Sequence, residues 1–123
     1  MHYPDWWNRT VTLYNKIENL DGSTYWQKTR LDGCFWGVKA ERLLSGDNVI
    51  ASPVYTVRVP PGRLIQAATG DIAVLGDISD DVDEKTQGKR SSDLLRKYGQ
   101  NAFLIRVFKD NTGVDIPHCY LGG

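Results

Sequence analysis

The chain has 123 residues, 41% of them hydrophobic, which suits one domain whose core needs neither disulfides nor a metal. Its 15 Lys and Arg balance its 15 Asp and Glu, so no whole-molecule field draws it toward nucleic acid or an anionic membrane. No apolar run approaches the roughly 20 residues of a membrane-crossing helix, and the opening MHYPDWWNRT lacks the basic and apolar regions of a signal peptide. With only Cys34 and Cys119, a disulfide scaffold is excluded and a reducing cytoplasm is the expected compartment.

Taken in order, Met1 to Asn8 reads as an N-terminal extension, and RTVTLYNKIENL follows with Val11 and Leu13 on one face and Tyr14 and Lys16 on the other. That period of two predicts a half-buried strand ending at the Asp21-Gly22 turn. In TYWQKTRLDGCFWGVKA, Asp32-Gly33 separates two aromatic and β-branched segments, a pattern that predicts a hairpin. SGDNVIASP reads as a polar link, and VYTVRV as a strand with Val57 and Val59 on one face, ended by Pro60-Pro61.

GDIAVLGDISDD places a short strand, Ile72 to Leu75, between two Gly-Asp pairs, with Gly70 and Gly76 where the backbone bends and the carboxylates capping turns. Ile78 to Arg90 has few apolar side chains and mixed charge, which predicts an exposed, mobile loop. Ser91-Ser92-Asp93 offers N-cap chemistry to a short helix with Leu94, Leu95 and Tyr98 on its apolar face and Gly99 after its last turn. AFLIRVFKD reads as one apolar strand with Ile105 and Val107 inward and Arg106 outward, DNTG as a turn, and His118 to Leu121 as a final edge strand. About six strands and one helix predict a mainly β chain, a small antiparallel β-barrel or sandwich forming a single domain over 1–123.

The loop carries the candidate site: Asp77, Asp80, Asp81, Asp83 and Glu84, followed by Lys85, Lys89 and Arg90. The acids could in principle hold a hard cation, but they lack the ligand spacing and central glycine of a calcium loop, so solvated charge is the reading preferred. Cys34, His118 and Cys119 fall short of the four ligands of a closed zinc site. His118 and Cys119, adjacent on a strand, would point to opposite faces and could not form a nucleophile–base pair. GxSxG, Walker A and GxGxxG patterns are absent, so no enzyme, cofactor or metal is expected.

From Tyr25 onward, the sequence runs through YWQKTRLDGCFW, a strand ended by prolines, GDIAVLGDISDD, SSDLLRKYG, and a strand followed by DNTGVDIPHCYLGG. In that order it resembles the small head-closure proteins, also called stopper or neck proteins, encoded in the head-to-tail region of tailed phages and prophages. The resemblance implies a small β-barrel with a long loop and a helix, acting without catalysis. It implies a ring-forming homo-oligomer at the head–tail junction that meets portal or adaptor and tail-completion proteins and contacts packaged DNA, with no membrane. The location it implies is the virion, and the bacterial host cytoplasm during assembly, where the free chain could stay monomeric until docked. The loop residues named above would then contact neighbours or face the DNA channel, where acids repel DNA. The alternative from another class is an OB-like barrel binding single-stranded nucleic acid through Trp6, Trp7 and Trp26. A small metal-dependent hydrolase using Asp77 to Glu84 is the remote third.

Overall fold

The computed structural model describes residues 7–45, 48–60, 66–111 and 118–123. The elements run β1 (Arg9–Glu18), β2 (Thr24–Ser45), β3 (Asn48–Val59), β4 (Ile72–Leu75), α1 (Ser91–Tyr98), a 3₁₀ turn (Gly99–Asn101), β5 (Ala102–Leu104), β6 (Val107–Asn111) and β7 (His118–Gly122). All strand pairings are antiparallel, in the order β5-β4-β1-β2-β3-β7-β6. The two ends of that order, β5 and β6, are separated in the chain by Ile105 and Arg106 alone, so the sheet must curl to bring its edges together. Ile105 N–H donates to the Asp71 carbonyl at 2.7 Å on one side, and Arg106 N–H to the Gly122 carbonyl at 2.8 Å on the other. The chain is a mainly β, curled half-barrel with one short helix, as the strand pattern led us to expect.

Two hydrophobic cores hold it. Inside the curl lie Val11, Leu13, Leu31, Tyr55, Val57, Val59, Ala73, Phe103, Ile105 and Leu121, with both cysteines. The Tyr55 and Phe103 rings stack there at 4.7 Å, and Trp36 packs on Phe103 at 5.4 Å. Under the helix lie Tyr14, Ile72, Val74, Leu94 and Ala102, with Trp26, Ile78, Val82, Leu95 and Tyr98 packed against them. This explains why Val11, Thr12, Leu13 and Tyr14 are buried in succession. Strand β1 has a core on each face, so the polar side expected of Tyr14 becomes a second interior.

Several local expectations hold to the residue. Strand β4 spans Ile72–Leu75, flanked by Gly70 at φ 103° and Gly76 at φ 108°, a backbone region costly for any residue with a Cβ. Helix α1 ends at Gly99. Its first turn is closed by Asp93 Oδ2, which accepts from Arg90 N–H at 3.1 Å, and by Glu84 Oε1, which accepts from Ser91 N–H at 3.1 Å. Asp93 thus serves the helix start from inside the first turn.

Four expectations are corrected. Asp32-Gly33 is not a hairpin, because β2 runs through it. The register passes from Arg9↔Cys34 to Val11↔Leu31, one extra residue on β2, and Gly33 sits at φ 70°. This bulge bends β2 where it leaves β1 for β3. Ser45 to Pro53 is not a link, because Asn48–Pro53 is the first half of β3 and pairs with Ala40–Ser45; Gly46 and Asp47 lie outside the described residues. AFLIRVFKD is two strands rather than one. Ile105 is fully buried but Val107 is 41% exposed, since crossing from one sheet edge to the other shifts the alternation and Phe108 takes the inward place. Strand β7 is not an edge, because it lies between β3 and β6. Trp7, in the segment read as an extension, is buried; residues 1–6, Trp6 among them, lie outside the described residues, as does Pro61.

Candidate functional site

The predicted site residues lie on the outside of the half-barrel, on the loop that leaves β4 and on the helix it leads into. The loop is anchored at its start by Thr12, whose hydroxyl donates to the Gly76 carbonyl at 2.7 Å and accepts from Ile78 N–H at 3.0 Å. Tyr14, fully buried, donates its hydroxyl to the Asp80 carbonyl at 2.7 Å. Burial, and then the nearby Asp80 charge, push the Tyr14 phenol well above its ordinary range.

Each acid of the cluster is engaged by its own chain. Asp77 pairs with Arg30 at 3.2 Å, and Arg30 also pairs with Asp32 at 3.0 Å. Asp80 pairs with Lys97 at 2.6 Å and accepts from the Tyr98 hydroxyl at 3.0 Å. The Lys97 bond is the main reason that the Asp80 carboxyl lies below the usual range. Asp81 pairs with Lys28 at 2.7 Å, and Lys28 also donates to the Ser79 carbonyl at 2.8 Å. Asp83 accepts from Lys85 N–H at 3.0 Å and the Thr86 hydroxyl at 2.7 Å, an Asx turn whose N–H reaches the Lys89 carbonyl at 2.7 Å. Glu84 is held below its ordinary pKa chiefly by Ser91, while Trp26 Nε1 is buried with no hydrogen-bond acceptor among the described residues.

The side chains of Lys85, Lys89 and Arg90 are exposed. Asp80, Asp81, Lys89, Arg90 and Lys97 line a shallow depression of about 420 Å³ between loop and helix. Both signs of charge meet in it. A second depression, about 620 Å³, lies on the other side of β1, near Asn15, Gln27 and Phe108. At its floor the buried Asp71 carboxylate accepts from Asn15 Nδ2 at 3.0 Å, Lys16 N–H at 3.0 Å and Ala68 N–H at 2.9 Å. These three donors lock the turn before β4 onto β1. The arrangement is structural: an acid read as turn capping also ties two distant segments together.

Sequence reasoning grouped the acids but missed their partners Tyr14, Lys28, Arg30, Lys97 and Tyr98. The signal was present as spacing: Lys28 and Arg30 are two apart on β2, and the register sets them opposite Tyr14 and Thr12. Among the described residues no three His, Cys, Asp or Glu side chains converge as a metal site, and no helix is long and apolar enough to cross a membrane.

The fold and this face define a small, mainly β protein with a charged, internally braced loop and helix on its outer side. It belongs to the Family of unknown function (DUF6751), whose pattern matches residues 6–123. No curated protein and no solved structure matches the chain.

Proposed function

We propose that this protein is a non-enzymatic component of a tailed-phage or prophage virion, placed at the head–tail junction, where it closes the filled head and joins the tail. Its partners would be portal or adaptor proteins above, tail-completion proteins below and further copies of itself in a ring. Packaged DNA would lie within reach of the ring.

One observation carries the reading. The loop of residues 77–90 is fastened to the barrel through Thr12, Tyr14, Lys28 and Arg30 and to the helix through Lys97 and Tyr98. It therefore presents a broad charged surface of fixed shape, suited to a repeated contact between subunits. The ion pairs leave it mixed in sign, so a contact with neighbouring protein is favoured over a uniformly acidic channel lining. The OB-like alternative rested on exposed aromatic residues; Trp7 is buried and Trp26 half-buried under the loop.

The test is genetic. Deleting Asp83 to Lys89 and bridging the gap with two glycines, in the phage or prophage that encodes the chain, should yield filled heads that lose DNA or fail to accept tails. Normal plating with the deletion would remove the loop from the function. Normal plating after loss of the whole gene would overturn the virion role.

A further inference from the structure

Strand β2 pairs with β1 only as far as Cys34, and β3 pairs with β7 only over Thr56–Val59. Between them, Lys39 to Ser45 and Asn48 to Val54 pair with each other and with no further strand among the described residues. At about 3.3 Å per residue this is a two-stranded ribbon reaching roughly 20 Å beyond the sheet. Such a ribbon is marginal alone, and its outer edges are open templates for another strand.

The two edges are not equivalent. Ala40 stands opposite Pro53, which has no N–H, so this cannot be a hydrogen-bonded pair. Antiparallel alternation then turns the backbone groups of Lys39, Glu41 and Leu43 toward β3 and those of Val38, Ala40, Arg42 and Leu44 outward. The same phase puts Tyr55 on the outer edge of β3, where it donates to the Gly123 carbonyl at 2.8 Å. Pro53 falls next on that edge and removes a donor there. The β2 edge carries no such block, and Val38 is 50% exposed.

We propose that Val38 to Arg42 of β2 pairs antiparallel with the same segment of a second copy of this chain, about a two-fold axis at Ala40. Three features select a second copy. In this register Lys39 stands opposite Glu41 of the other copy in a closely spaced, non-hydrogen-bonded pair, and symmetry repeats the contact. The chain has no net charge to oppose self-association. A two-fold edge contact also closes on itself, whereas a head-to-tail one would keep an edge open. The dimer concerns the free protein and does not depend on the virion reading, since a cyclic ring uses a different, head-to-tail contact.

The purified full chain, followed by sedimentation equilibrium, should run at twice its 13.9 kDa mass. Ala40→Pro removes one outward N–H without touching the β2–β3 ladder and should give a monomer with an unchanged circular dichroism spectrum. Lys39→Glu and Glu41→Lys should each weaken the dimer about tenfold by setting like charges opposite one another. The double variant should restore it, and mixing the two single variants should give a heterodimer tighter than either homodimer. A wild-type monomer at all concentrations, as when the edge is covered by the chain's own N-terminal segment, would overturn the proposal. A dimer indifferent to Ala40→Pro and to both charge reversals would overturn it equally.

Discussion

The Tyr14 hydroxyl donates to the backbone carbonyl of Asp80, 66 residues further along the chain, and this one bond fixes the outer loop to the centre of β1. Tyr14 is fully buried, so its hydroxyl has no water to turn to. Tyr14→Phe should lower unfolding free energy by about 1–2 kcal/mol, the cost of leaving the carbonyl without its donor. Urea unfolding measures it; an unchanged midpoint would show that the loop finds another anchor.

Acid should loosen the same loop. Asp80, Asp81, Asp83 and Glu84 all have lowered pKa values, through Lys97, Lys28, Thr86 and Ser91 respectively as the leading cause. A carboxylate depressed in the folded state adds stability above its unfolded pKa and loses it as pH falls through the folded one. The melting temperature should therefore decline below about pH 4.5, by a modest amount because these pairs are largely exposed. Asp80→Asn should flatten part of that decline. A variant curve parallel to the wild type down to pH 2.5 would rule Asp80 out as a contributor.

Neither thiol should react in the folded protein. Both are free and buried, and desolvation pushes the Cys34 thiol up to about 12 and the Cys119 thiol in the same direction. At pH 8, iodoacetamide should label neither in buffer and both in urea, as read by mass spectrometry. Stoichiometric labelling of Cys34 in buffer would contradict its burial.

The crossing between β5 and β6 gives a paired test. Ile105→Asp should abolish soluble folding, since an unpaired charge inside the curl costs several kcal/mol, while Val107→Asp, only two residues on, should fold and melt within a few degrees of wild type. Equal behaviour of the two variants would show that the chain does not change edges there.

Elements set by local chemistry were legible in the sequence: β4 between its glycines, α1 before Gly99, the shared face of Val57 and Val59. What could not be read was which strand pairs with which. A glycine with positive φ is required both by a tight hairpin and by a bulge inside a long strand, so Asp32-Gly33 looked like the former and is the latter. The difference lies in β3 taking over where β1 ends, and Val11, Arg9 and Arg58, 22 to 25 positions from Gly33, decide it. The candidate site followed the same division. Its acids formed a visible run, but Lys28 and Arg30 reach them only through the pairing of β1 with β2 and of β1 with β4.

The joining of the sheet's two ends by Ile105 and Arg106 also bears on how quickly the protein forms. Val11 must find Leu75, and Val57 must find Leu121, before the curl can shut, so the contacts that define the fold span long stretches of chain. Chains dominated by such distant pairings fold in milliseconds to seconds rather than microseconds. During synthesis the early strands emerge well before the segment that joins the edges, and Ala73 belongs to one interior that only Phe103, Ile105 and Leu121 complete. A nascent chain of this protein should thus stay open, and sensitive to protease, until β5 to β7 have left the ribosome.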